Sequence, residues 1–131
     1  MTGQNRDLIQ YRLKRAYDTL EDALILSKAE RWNACINRLY YACFYAVSAL
    51  LAQEDLHSSK HSGVRSLFNL HFVKTEKVPK HFATAYNDLF ERRQESDYVD
   101  FISFGSAQIR PLMKKAESFV ECIANLIDEN K

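Results

Sequence analysis

The chain has 131 residues, 47% of them hydrophobic and 27% charged, with a formal net charge of +1. That composition describes one folded domain spanning residues 1–131 and excludes wholesale disorder. The near-neutral balance gives no bulk preference for nucleic acid or membrane, so any electrostatic signal must be a local patch.

Only three Gly and two Pro are present, and so few breakers favour long helices. The first helix is expected over about Asn5–Ala29. Leu13, Ala16, Tyr17, Leu20, Ala23, Leu24 and Ser27 recur at three-and-four spacing, with Arg12, Arg15, Asp18, Glu21, Asp22 and Lys28 on a solvated face. The second, over about Arg31–Gln53, is apolar on most sides, which places it centrally or under a second subunit. Glu54–Ser59 reads as a polar loop, and a shorter third helix spans about Lys60–Val73. Pro79 suits the start of a fourth helix, Lys80–Ser96, because its missing N–H falls among the unpaired first-turn donors. An irregular stretch, Tyr98–Gly105, precedes a fifth helix from an expected Ser106 N-cap to about Asp128, with Pro111 near its first turn. No alternating strand pattern persists. The fold class is therefore all-α: an antiparallel up-and-down bundle of four helices with an additional short one.

Cys35, Cys43 and Cys122 are odd in number and form no C-x-x-C pair, so they read as small core hydrophobes suited to a reducing cytoplasm. The N-terminus shows no apolar signal region, and the apolar stretch Leu39–Ala52 is too short to span a bilayer, so no membrane role is expected. His57, His61, His71 and His81 lack metal-ligand spacing, and no phosphate-binding glycine loop is present, so neither metal nor cofactor is expected.

Three polar groupings stand out. In Arg93-Gln94-Glu95-Ser96-Asp97-Tyr98 a guanidinium and a carboxylate sit at i and i+4, with a phenol one residue further round. Such a pair is either a solvated ion pair of a few tenths of a kcal/mol, roughly, or part of a polar site. On the second helix Asn37, Arg38 and Tyr41 either pack with their polar ends in water or point into the same cleft as Arg93. Arg38 in so apolar a helix needs a partner such as Asp97, Glu91 or a bound anion. Finally, His57, Ser58, Ser59, Lys60, His61, Ser62 and Arg65 surround the start of the third helix, as a capped surface helix or as a phosphate-binding terminus.

The order of Asn37-Arg38-Leu39-Tyr40-Tyr41-Ala42, Lys60-His61-Ser62-Gly63-Val64-Arg65-Ser66-Leu67-Phe68 and Arg93-Gln94-Glu95-Ser96-Asp97-Tyr98 resembles the HEPN-domain family over about Asp7–Ile127. The resemblance implies a helical bundle that forms a homodimer with a cleft at its interface. Many members are metal-independent ribonucleases, often toxins encoded beside a nucleotidyltransferase antitoxin; others bind RNA or nucleotides without cleaving. The family's nuclease signature is Arg, four to six residues, then His. Arg93 matches the arginine, but Tyr98 follows four intervening residues and neither Val99 nor Asp100 is the His. Asp100 also stands where some related toxins carry a nucleotidylated tyrosine, so Tyr98 is at best an offset acceptor. A histidine titrating near 6.5 suits proton transfer, whereas a phenol near 10 is a weak acid at neutral pH.

Three readings follow. In the first, an RNA- or nucleotide-binding module uses Arg93, Asp97, Tyr98, Asn37, Arg38 and Tyr41 and partners a nucleotidyltransferase. In the second, a ribonuclease uses Arg93 with Tyr98 or a remote histidine such as His57 or His61. In the third, the chain is a helical interaction protein whose Arg93 is merely paired to Asp97.

Overall fold

The computed structural model describes residues 3–130, and among them the protein is all-α. Five α-helices follow one another: α1 Gly3–Lys28, α2 Trp32–Gln53, α3 His61–Phe68, α4 Lys80–Tyr98 and α5 Ser106–Glu129. Helices α1, α2, α4 and α5 form the up-and-down bundle, and α3 is the additional short helix. A π-helical turn, Asn69–Val73, continues α3. The sequence pattern runs a single helix through Val73; here Lys74 N–H instead reaches back five residues to Asn69 O at 2.8 Å. The wider turn keeps Phe68 and Phe72 both in the core, their rings stacked 6.2 Å apart.

Helix α2 is the axis of the fold. Thirteen of its 22 residues are buried, and it packs against α1, α3, α4 and α5. It is long and apolar enough to cross a membrane, yet two-thirds of its apolar window is covered by the other helices, as for a core helix. Facing it are Ile9, Ala16 and Ala23 from α1, Leu89 and Phe90 from α4, and Ile109, Ala116, Phe119, Val120, Ile123 and Ile127 from α5. Of the apolar stripe on α1, Tyr17 and Leu24 lie exposed, because small Ala16 and Ala23 let α1 approach α2 closely and leave bulkier neighbours outside. Cys35 and Cys43 are free thiols in the core and Cys122 is free and half-buried. Burial pushes the Cys35 thiol up to about 11, so it behaves as a packing group rather than a nucleophile.

The connections use little glycine. α1 and α2 both end with an acidic residue in the left-handed region, Glu30 at φ 59° and Asp55 at φ 57°. In each the next amide reaches back to a helix carbonyl, Arg31 N–H to Leu26 O at 2.9 Å and Leu56 N–H to Leu51 O at 2.8 Å, closing a Schellman turn. α4 extends past Ser96 to Tyr98. α5 is capped by Gly105 rather than by Ser106, and Gln108 Oε1 accepts from Gly105 N–H at 2.9 Å. Ser106 Oγ instead accepts from Arg110 Nε at 2.6 Å. Pro111 sits inside α5 without delaying its start.

The loop before α3 closes tightly on that helix's first turn. A Cβ added to Gly63 would lie 2.0 Å from Ser58 Oγ and 2.9 Å from Ser58 Cβ. Gly63→Ala should therefore lower the unfolding free energy measured in urea by about 1–2 kcal/mol, although helix propensity alone predicts a gain of about 1 kcal/mol. Adding Ser58→Gly should recover most of the loss. A Gly63→Ala variant more stable than the parent would show that the loop does not seat against α3.

Candidate functional site

The site grows from two helices that cross the core with polar residues at their shared end. On α2, Asn37, Arg38 and Tyr41 lie within two turns. On α4, the run Phe90–Asp97 lies opposite. Arg93 is the buried charge of the structure among the described residues, only 5% exposed. It is not half of an exposed helix-surface ion pair. Its guanidinium carbon stands 4.8 Å from the Tyr40 ring centroid, 5.8 Å from Tyr41 and 5.9 Å from Phe90, a cage of three aromatic faces.

The cage holds the cation without fully neutralising it. The nearest carboxylate oxygen, Asp97 Oδ2, is 3.6 Å from Arg93 Nη1, beyond hydrogen-bond range. Arg93 Nε is buried with no hydrogen-bond partner. Asp97 is shared, since Asn37 Nδ2 donates to its Oδ2 at 3.2 Å. Asn37 Oδ1 in turn accepts from Arg38 Nε at 3.1 Å and Nη2 at 2.8 Å. Arg38 thus finds neither Asp97 nor Glu91 directly, as the sequence suggested. Its link to the carboxylate runs through the Asn37 amide, which accepts on one side and donates on the other. Arg38 also lies 5.2 Å over Tyr41. Asn37, Arg38 and Asp97 line an open groove of about 280 Å³ with Asn33 and Ser96.

Helix α3 adds a histidine. His61 Nδ1 is 2.9 Å from Tyr40 Oη, and its ring stacks on Phe44 at 4.5 Å. Burial first and the Arg93 charge second pull its pKa below the ordinary 6.5, so the imidazole is neutral at pH 7. Burial pushes the Tyr40 phenol up to about 12 despite the opposing pull of Arg93, so it stays protonated. Arg65, one turn further along α3, places its guanidinium carbon 4.0 Å over Phe90. Arg93 and Arg65 therefore flank the Phe90 ring, and Arg38 reaches Asp97 through Asn37.

Of the residues singled out in the sequence, Arg93, Asp97, Asn37, Arg38 and Tyr41 come together. Tyr98 does not. Five residues turn a helix about 140° beyond a full turn, and because α4 continues to Tyr98 the phenol is carried to the outer face. There it is 75% exposed and lines a separate hollow with Glu91, Gln94, Glu95 and Val99. It does not line the groove of Asn37, Arg38 and Asp97. The polar cluster before α3 divides: His61 turns inward, Arg65 covers Phe90, His57 and Ser58 line a groove against α1, and Ser59, Lys60 and Ser62 face solvent. Two contributors were not singled out. Tyr40 is fully buried, and its place one turn from both Ile36 and Phe44 is the signal that puts it on the covered side of α2. Asn33 accepts from Phe104 N–H and donates to Ile102 O, both at 3.0 Å, tying down the α4–α5 connection beside the groove.

A central apolar helix bearing an Asn-Arg pair, with a caged arginine on the facing helix, defines an all-α bundle with a cationic interhelical site. Residues 9–127 match the HEPN domain, and the chain belongs to that family. It is 43% identical to a UPF0332 protein of Thermotoga maritima over 98% of both chains. It is 30% identical to "Putative toxin MJ0142" of Methanocaldococcus jannaschii, over 82% of this chain and 74% of that one. A second protein of that organism, "Putative toxin MJ0605", is 27% identical over 95% of this chain and 92% of its own.

The depressed His61 pKa makes stability pH-dependent. Its folded value lies below its unfolded one, so between the two the unfolded chain binds more protons, and stability falls as pH drops below about 6.5. Urea midpoints measured from pH 7.5 to 5 should decline for the wild type. His61→Gln should flatten that part of the decline. An unchanged slope in the variant would place His61 in water rather than against Phe44 and Tyr40.

Proposed function

We propose that this protein is an RNA- or nucleotide-binding component of a toxin-like module, acting as a homodimer and paired with a nucleotidyltransferase. One observation carries the binding reading. A buried guanidinium has a free Nε, a carboxylate too distant to hydrogen-bond, and a second guanidinium at the lip of the adjoining groove. A buried charge so incompletely compensated favours a further anion. A phosphate entering the groove would meet Arg38 first, with Asn37 turning its amide to it, and would compete with Asp97 for Arg93. Tyr41, already against both guanidiniums, offers a ring for a base. The toxin names of two relatives support the toxin-like module, and the nucleotidyltransferase partner is what the resemblance to the family implies. Free, protonated thiols fit a reducing cytoplasm.

Calorimetry with ATP, and fluorescence polarisation with a labelled single-stranded RNA hexamer, test the binding. Arg93→Lys keeps the charge but loses the planar fork, and should weaken binding about ten-fold or more. Arg38→Gln should weaken it less. Affinities equal to the wild type's in both variants, or no binding by the wild type, would overturn the reading.

A second reading, RNA cleavage, is favoured by the position of His61 near Arg93. With Nδ1–H donating to Tyr40 Oη, Nε2 is bare and can take the proton of a 2′-hydroxyl. The 2′-oxygen then attacks phosphorus, the bond to the 5′-oxygen breaks, and that oxygen takes a proton from solvent. Arg93 and Arg38 would stabilise the charge gathering on phosphorus. Cleavage in EDTA should then be lost in both Arg93→Lys and His61→Asn. The wild-type rate should stay level from pH 8 to 7 and fall only below about 6.5, because the base must be neutral and its pKa is lowered. RNA left intact at high protein concentration would eliminate this second reading and leave the first.

A further inference from the structure

The cationic site does not end at Arg38. Along the same face of α2 the Tyr41 and Tyr45 rings lie 6.0 Å apart. Arg15 of α1 stands over Tyr45, its guanidinium carbon 4.5 Å from the ring centroid, and its Nη2 donates to Tyr45 Oη at 2.7 Å. The same guanidinium reaches Tyr11, with Nη1 3.2 Å from its hydroxyl. Arg38, Tyr41, Tyr45, Arg15 and Tyr11 thus form a ladder of three phenol rings and two guanidiniums. Its far end opens into a groove of about 240 Å³ lined by Tyr11, Arg12, Arg15, Tyr45, His57 and Ser58. No carboxylate lines that groove among the described residues. Nearby Asp18 is engaged by Lys14 at 2.8 Å, and Asp55 lies 3.4 Å from His57.

We infer that this ladder is a track for single-stranded RNA leading away from the Arg38–Asp97 groove beside Arg93. The inference rests on the nucleotide reading of that groove and extends it to a chain of nucleotides. Rings that every base can stack on, interleaved with donors for the backbone, are what sequence-tolerant single-strand binding requires. Arg15 and Tyr11 are both exposed, Tyr11 at 58%, so both can be reached from solvent. Guanidiniums without a carboxylate in the groove among the described residues favour a polyanionic strand over a protein surface. The exposed apolar groups Ile25, Leu70, Val99 and Phe101 are not part of the ladder. Seven residues of α2 separate Arg38 from Tyr45, a rise of about 10 Å, which at about 3.4 Å per stacked nucleotide is room for roughly three.

The test compares ATP with labelled oligouridylates of one to eight nucleotides. It uses wild type, Arg93→Lys, and the exposed double variant Tyr11→Ala/Arg15→Gln, whose unaltered circular dichroism and melting would show an intact fold. Affinity of the wild type should rise about ten-fold or more up to roughly four nucleotides and then level. The double variant should bind ATP as the wild type does but lose that rise. Its salt dependence on the longer oligomers should also become shallower, by about 0.7 in log–log slope for the lost Arg15 contact. Length-dependent binding identical in wild type and double variant overturns the track while leaving the Arg93 site standing. Loss of oligomer binding in the double variant with no effect of Arg93→Lys keeps the track and overturns the Arg93 reading. A double variant that binds RNA normally but changes its sedimentation assigns the ladder to a protein contact and overturns the proposal.

Discussion

The structure turns on one buried cation. Taking a guanidinium out of water is costly unless something replaces its hydration, and here the replacement is mostly aromatic. Tyr40, Tyr41 and Phe90 supply ring faces, while the one carboxylate paired with it among the described residues stands at 3.6 Å and is already engaged by Asn37. A direct bidentate Arg–Asp pair would have closed the site electrostatically. The cage instead leaves the charge fixed in place, rigid and incompletely satisfied, which is the condition for recognising an anion rather than only stabilising a fold.

Helix α2 explains how such a cage is built from a nearly neutral chain. Because it is surrounded, its side chains must serve several layers at once. Tyr40 packs against Tyr86 and Phe90 while its hydroxyl meets His61, and Tyr41 bridges Arg38 and Arg93. The tight seat of α3, which needs a hydrogen at Gly63 in place of a methyl, brings His61 and Arg65 to the same end. Charge is thereby concentrated locally without altering the overall balance of the molecule.

Much of the architecture was legible in the sequence because helix periodicity and punctuation agree. The apolar character of Arg31–Gln53 on most sides marked the central helix, and Pro79 marked the start of α4. Three kinds of feature were not. The π-helical turn at Asn69–Val73 depends on how Phe72 meets the core, which local spacing does not encode. The reach of α4 to Tyr98 shifted a phenol from the expected cleft to the opposite face, since two more helical residues matter by some 200°. The third concerns long-range neighbours. The sequence offered His61 as a remote histidine to act with Arg93, but only the fold brings α3 across α2, and nothing local shows that Arg38 speaks to Asp97 through Asn37.

Membership of the HEPN family and the kinship with proteins named as toxins set the context, yet the incomplete signature after Arg93 leaves the chemistry to the geometry. That geometry has a direct spectroscopic consequence. The side-chain Nε–H of Arg93, observed by nitrogen-edited NMR and assigned through its loss in Arg93→Lys, should exchange slowly with water. It should resonate upfield of ordinary arginines from the ring currents of Tyr40, Tyr41 and Phe90, and should move when ATP is added. A rapidly exchanging Nε–H at the position of a solvated arginine would contradict the caged cation on which the account is built.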